Sequence, residues 1–153
     1  EILSRATWRM NLKCNKANMK ISIETKVAAP IAEVWRAWTT PEDIKRWNAA
    51  SDDWHTTAAS LDLREGGSFS FRMEAKDGSF GFDFAGIYKR IVPHKLIECS
   101  FGDRGLIVEF AADGGSTVVR ETFDAEATHP VDQQRQGWQA ILDRFCKHVE
   151  KRL

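Results

Sequence analysis

Cysteine is scarce in this sequence and solitary where it occurs. Cys14, Cys99 and Cys146 are an odd number with no Cys-x-x-Cys spacing, which argues against a disulfide framework and against a thiolate zinc site. The four histidines, at 55, 94, 129 and 148, share no metal-ligand spacing, so no metal and no other cofactor is expected. Charge of one sign is missing too. Lys+Arg and Asp+Glu both total 22 in 153 residues, and such a chain has no global field to draw it to nucleic acid or to an anionic membrane. No apolar run approaches the roughly 18 residues of a membrane span. Gly66-Gly67 and Gly114-Gly115 are not followed by a helix, so neither pair forms a phosphate cradle. These absences leave a single globular domain suited to a reducing cytoplasm, with no nucleic-acid partner.

The first 18 residues differ from the rest. They carry Arg5, Arg9, Lys13 and Lys16 against Glu1 alone, and no stretch among them is long enough for a signal-peptide core. Residues 1–18 are read as an extension outside a domain that runs over residues 19–153.

Within that domain, "KISIETKVAA" alternates, with Ile21, Ile23, Thr25 and Val27 on one face, and predicts a strand. Pro30 suits the first position of a helix, and Ile31, Val34, Trp35 and Trp38 follow at helical spacing. Thr40-Pro41-Glu42-Asp43 reads as a threonine cap, a proline and a first turn of acids. Ile44 and Trp47 complete a second short helix.

From residue 56 the period becomes two. Phe69, Phe71, Met73 and Ala75 share one face, Lys76-Asp77-Gly78-Ser79 marks a hairpin, and Phe80, Phe82 and Phe84 return in register. Gly86 is expected at a bulge or bend. Further turns at Pro93-His94, Gly102–Gly105 and Asp113-Gly114-Gly115 give six successive strands, an antiparallel meander. Pro130 opens a helix of about twenty residues. Its stripe holds Val131, Gln134, Trp138, Ile141, Leu142, Phe145 and Val149. The expected architecture is α+β, a helix-grip fold: a seven-stranded antiparallel sheet wrapped around a long C-terminal helix, with two short helices after the first strand.

Three separated segments carry a family likeness: "VAAPIAEVWRAWTTPEDIKRW", "DLREGGSFSFRMEAKDGSFGFDFAGIYKRIVPHKLIE" and "QQRQGWQAILDRFCKHVE". Together they resemble the START-like superfamily, and within it the branch related to the C-terminal domain of activators of the ninety-kilodalton heat-shock-protein ATPase. The resemblance covers about Met19 to Leu153 and implies the helix-grip fold. For function it implies either ligand binding or a co-chaperone-type, stress-response interaction with a heat-shock chaperone, because superfamily members range from lipid carriers to polyketide cyclases.

The candidate site is a cavity between sheet and terminal helix. Phe69, Phe71, Phe82, Phe84, Phe101, Phe110 and Phe123 are expected on its sheet side, and Trp138, Ile141, Leu142 and Phe145 on its helix side. Glu121 shares a strand face with Thr117, Val119, Phe123 and Ala125, while Arg120, Thr122 and Asp124 take the wetter face. An inward carboxylate needs a partner, and Arg90, His55 and Gln134 are candidates. Gln134 also interrupts an apolar stripe and must find a bond. Tyr88 is placed to bring its hydroxyl into the cavity or to its edge. The stretch "WNAASDDWHT" adds Trp47, Trp54 and His55 as pocket wall and polar tip. The same residues are equally read as core caps in an ordinary connection. No nucleophile accompanies His55 at a recognisable spacing, so no catalytic residue is named. The expected partner is a small hydrophobic or amphipathic molecule bound by a monomer or weak homodimer. A heat-shock chaperone is second, and a polyketide cyclase-like enzyme third.

Overall fold

A computed structural model describes residues 19–152, and the expectation for residues 1–18 lies outside them. Strand β1 (Lys20–Val27) buries Ile21, Ile23 and Val27 and leaves Lys20, Ser22 and Glu24 exposed, as its alternation requires. Helix α1 (Ile31–Thr39) starts one residue after its expected first position, because Pro30 keeps an extended ψ of 151° and serves as the N-cap. Helix α2 (Pro41–Trp47) has Pro41 at its start, but the Thr40 side chain does not cap it. Its hydroxyl instead donates to the Arg36 carbonyl, 2.6 Å away, closing the preceding helix.

Six strands follow: β2 (Trp54–Leu61), β3 (Ser68–Ala75), β4 (Gly81–Val92), β5 (Leu96–Phe101), β6 (Arg104–Asp113) and β7 (Ser116–Asp124). The order across the sheet is β1-β7-β6-β5-β4-β3-β2, every pairing antiparallel. The meander is as expected, with β1 added beside β7. Strand β2 begins earlier than its period suggested, since Trp54 pairs with Ala75 and His55 with Glu74.

Gly86 corrects a second expectation. It pairs in register with Phe69, and the irregularity falls later, between Tyr88 and Arg90. The glycine is needed for clearance instead. A Cβ there would lie 2.0 Å from the Ser100 carbonyl oxygen and 2.8 Å from the Phe69 ring.

Helix α3 (Val131–Lys151) lies in the curl of this sheet and buries Gln134, Leu142, Phe145 and Val149. Of these, Leu142, Phe145 and Val149 join Ile21, Val108, Val119 and Phe123 from the strands and Val34, Ile44 and Trp47 from the short helices in one core. At its C-terminal end α3 is tied to α2. Buried Asp43 accepts from His148 Nε2 at 2.8 Å and from Arg152. Trp47 is held by its indole N–H, which donates to the Ala37 carbonyl at 3.0 Å. With both short helices fixed, the chain leaving α2 at Asn48 enters the space between α3 and the sheet.

Candidate functional site

Between α3 and the open half of the sheet lies a pocket of about 270 Å³, lined by Asn48, Met73, Phe82, Phe84, Phe101, Arg104, Glu121, Trp138 and Ile141. Its walls are aromatic. Phe84 meets Phe101 at 5.0 Å and Trp138 at 6.2 Å between ring centroids, and Phe101 meets Trp138 at 6.0 Å. The other face of Trp138 stacks on Phe123 at 3.9 Å, so this indole divides core from pocket.

Two of the polar residues that line this apolar space carry a side-chain group without a partner. Glu121 lies in β7 between Ile23 of β1 and Val108 of β6, on the face that also buries Val119 and Phe123. It is 6% exposed. Burial alone pushes its carboxyl from an ordinary 4.5 up to about 8, with neither a hydrogen bond nor a neighbouring cation opposing the shift. At neutral pH the group is therefore a protonated acid, which donates as well as accepts. None of the three expected partners reaches it. Arg90 is exposed, and His55 sits on β2 opposite Glu74. Gln134 is spent elsewhere: its amide N–H₂ donates to the carbonyls of Glu126 and His129, and its Oε1 accepts from the Glu126 N–H.

The second group is Asn48. Its backbone N–H bonds the Ile44 carbonyl at 3.0 Å to close α2, and its own carbonyl accepts from the Thr56 hydroxyl at 2.7 Å. These bonds fix the backbone of a residue that is 8% exposed. Its side-chain Nδ2 is buried with no hydrogen-bond partner. A buried donor left unmade costs about 1–3 kcal/mol unless something else satisfies it.

Arg104 closes one side. Its Nε donates to the Asp124 carbonyl at 3.0 Å and its guanidinium carbon lies 4.7 Å from the Phe101 ring centroid. Burial lowers its proton affinity, while the nearby charges of Glu126, Asp124 and Asp103 act the other way. Behind the wall, burial first, with Glu121 and Glu98 adding to it, pushes the Cys99 thiol up to about 12, and burial likewise raises Tyr88. Neither ionises near neutral pH. Among the described residues no group of His, Cys, Asp or Glu is arranged to hold a metal, and no helix is long and apolar enough to cross a membrane.

Of the residues expected from the sequence, Phe82, Phe84, Phe101, Glu121, Trp138 and Ile141 line the pocket together. Trp47, Phe69, Tyr88, Phe110, Phe123, Leu142 and Phe145 are buried in the core, with Phe71 packed against it. Trp54 lies at the rim beside Phe80 and Phe82. The "WNAASDDWHT" stretch is thereby dispersed: Trp47 to the core, Asn48 to the pocket, Asp52 to an exposed ion pair with Arg144 at 2.9 Å. Asn48, Met73 and Arg104 were absent from the expected set. Alternation carried a signal for two of them, since Met73 shares its face with Phe71, and Arg104 shares its face with Leu106, Val108 and Phe110.

A seven-stranded antiparallel sheet gripping a C-terminal helix around such a pocket defines a START-like helix-grip domain. The family described as "Activator of Hsp90 ATPase homolog 1-like protein" matches residues 28–150, and the chain belongs to that family. An AHSA1-like protein from Aeromonas hydrophila, solved in solution, is 49% identical, with a TM-score of 0.83 over 88% of this chain and 94% of that one. A Cytophaga hutchinsonii protein is 43% identical, with a TM-score of 0.76 over 87% and 93%. A Nitrosomonas europaea protein, 19% identical with a TM-score of 0.73 over 89% and 97%, shares the fold. No protein of curated function is significantly similar. Fold and family together fit a ligand-binding or co-chaperone-type module in general.

Proposed function

We propose that this domain binds a small amphipathic molecule in the pocket between α3 and the sheet. One observation carries the reading: Glu121, whose burial no partner offsets, and Asn48, whose buried Nδ2 has no hydrogen bond, both line the same aromatic-walled space. Ligand pockets combine an apolar lining with a few convergent polar groups, and a ligand would satisfy both at once. With Cys99 and Cys146 both unpaired among the described residues, the protein suits a reducing, cytoplasmic setting. Native mass spectrometry of protein purified from its own cells tests the proposal. A small molecule should co-purify with the wild type and be lost from Glu121→Leu. An empty wild-type protein refutes it. Binding to a heat-shock chaperone is the second reading, supported by the family's description. It predicts that the same variant leaves chaperone association unchanged, because the partner would use the outer surface.

A further inference from the structure

Resting on that reading, we propose that the ligand is a small aromatic monocarboxylate. Its carboxylate meets the end of the Arg104 guanidinium, its ring lies against Phe101 and Trp138, and a polar group at its far end meets Asn48 and Glu121.

The charge follows from Arg104, the single basic residue among those that line the pocket. Its Nε donates to the Asp124 carbonyl at 3.0 Å, and the Phe101 ring lies 4.7 Å from its guanidinium carbon. Among the described residues the guanidinium makes no ion pair. Arg104 also borders an outer groove with Asp103, Asp124 and Glu126, and none of these acids pairs with it. Asp124 takes Lys20 and the Gly105 N–H, and Glu126 takes His129 at 2.7 Å. A planar fork pinned at Nε keeps its two Nη ends for a ligand, and their N–H groups match the two oxygens of a carboxylate. A cationic ligand would meet a like charge there. A phosphate monoester would bring a second negative charge with no second cation among the lining residues. Arg104 is half-buried and borders the groove as well, so the carboxylate keeps one side toward water and its desolvation is partial.

The body follows from the walls and the volume. Phe101, which lies against the cation, is also 5.0 Å from Phe84 and 6.0 Å from Trp138 between ring centroids, so a flat ring joined to the carboxylate has aromatic faces to pack on. At roughly 30 Å³ per non-hydrogen atom, the share of a water molecule in the liquid, the 270 Å³ pocket holds about nine such atoms, the size of a benzoate.

The far end follows from register. Val108 faces Glu121 across β6 and β7. Arg104 lies four residues before Val108, which is about 13 Å of strand. The ligand's anion at one end therefore does not meet the Glu121 carboxyl at the other. Both Asn48 and Glu121 can give and take a hydrogen bond, so this end calls for a polar group without fixing its kind.

The test titrates the full chain near neutral pH with para-hydroxybenzoate and reads binding by NMR. Para-hydroxybenzamide, nearly the same shape without the charge, and para-hydroxybenzylamine, with the opposite charge, are the controls. The acid should bind at least about tenfold more tightly than either control, the scale of one charge-assisted hydrogen bond. Benzoate, which lacks the far hydroxyl, should bind about fivefold more weakly than para-hydroxybenzoate, the scale of one neutral bond. Arg104→Gln should bring the acid within about threefold of the amide, and Arg104→Lys, which keeps the charge without the fork, should hold an intermediate preference. The comparison of probes on the wild type decides by itself if a variant fails to fold. An amide or amine that equals the acid overturns the charge, as does an acid preference unchanged in both folded variants. A benzoate that equals para-hydroxybenzoate overturns the polar far end. Acid that binds without shifting the Trp138 indole resonance occupies the outer groove, and the proposal falls. If neither acid binds the folded protein the proposal also fails, whereas ligand binding as such is judged separately by what co-purifies.

Discussion

Replacing Glu121 with glutamine removes one ionisable group and almost nothing else, which makes its effect on stability calculable. In the unfolded chain the carboxyl ionises near its ordinary 4.5, and in the folded protein burial holds it protonated up to about 8. Between these values the native state binds one more proton than the unfolded state, so stability falls as pH rises through the window, by about 1.4 kcal/mol per pH unit. The penalty is absent at pH 4, reaches about 3 kcal/mol at pH 7, and saturates near 5 kcal/mol above pH 8. Glutamine fills the same space and never ionises. Glu121→Gln should therefore match the wild type in urea unfolding at pH 4 and exceed it by about 3 kcal/mol at pH 7, with a difference that grows to pH 8.5. The reasoning is refuted if the difference is independent of pH, or if the variant is the less stable protein at pH 7. Either result would mean that the carboxylate is already ionised in the native state at neutral pH.

Trp138→Ala should cost about 3–5 kcal/mol, because the indole stacks on Phe123, and it should also abolish ligand retention, since the opposite face walls the pocket. Calorimetric melting with native mass spectrometry on one sample reads both. Asp43→Asn should cost about 1–3 kcal/mol in denaturant unfolding, as the carboxylate that ties α2 to His148 and Arg152 loses its charge. A chain beginning at Met19 should unfold within about 1 kcal/mol of the full chain, below the scale of a lost core side chain. A larger loss would place residues 1–18 within the cooperative unit.

Period was the most informative feature of the sequence. The alternation in β1, β3 and β7 and the stripe of α3 gave the face of nearly every buried residue, Glu121 included, and the spacing of turns gave the order of strands. Depth was not legible in the same way. Phe69, Phe84 and Phe123 all point to the concave side, yet only Phe84 meets the pocket, because the pocket opens where α3 stands off the sheet, and that separation arises from packing between distant elements. Asn48 was hidden for a similar reason. Its role depends on the backbone being pinned by Ile44 and Thr56, which leaves its amide unmatched. Arg104 follows a glycine turn and reads as a solvated loop charge until its pairing with Phe101 fixes its face. The partner sought for Glu121 among Arg90, His55 and Gln134 rested on a sound premise, that a buried charge needs an answer. Burial answers it by keeping the proton on.

The central claim is that Asn48 and Glu121 meet one ligand in this pocket. Side-chain NMR of protein labelled at both residues, before and after addition of an organic extract of the source cells, tests it most directly. The account predicts that the Asn48 amide and Glu121 carboxyl resonances shift together and saturate at one equivalent of bound molecule. Binding that moves neither resonance, or an extract that contains nothing the protein binds, would contradict it.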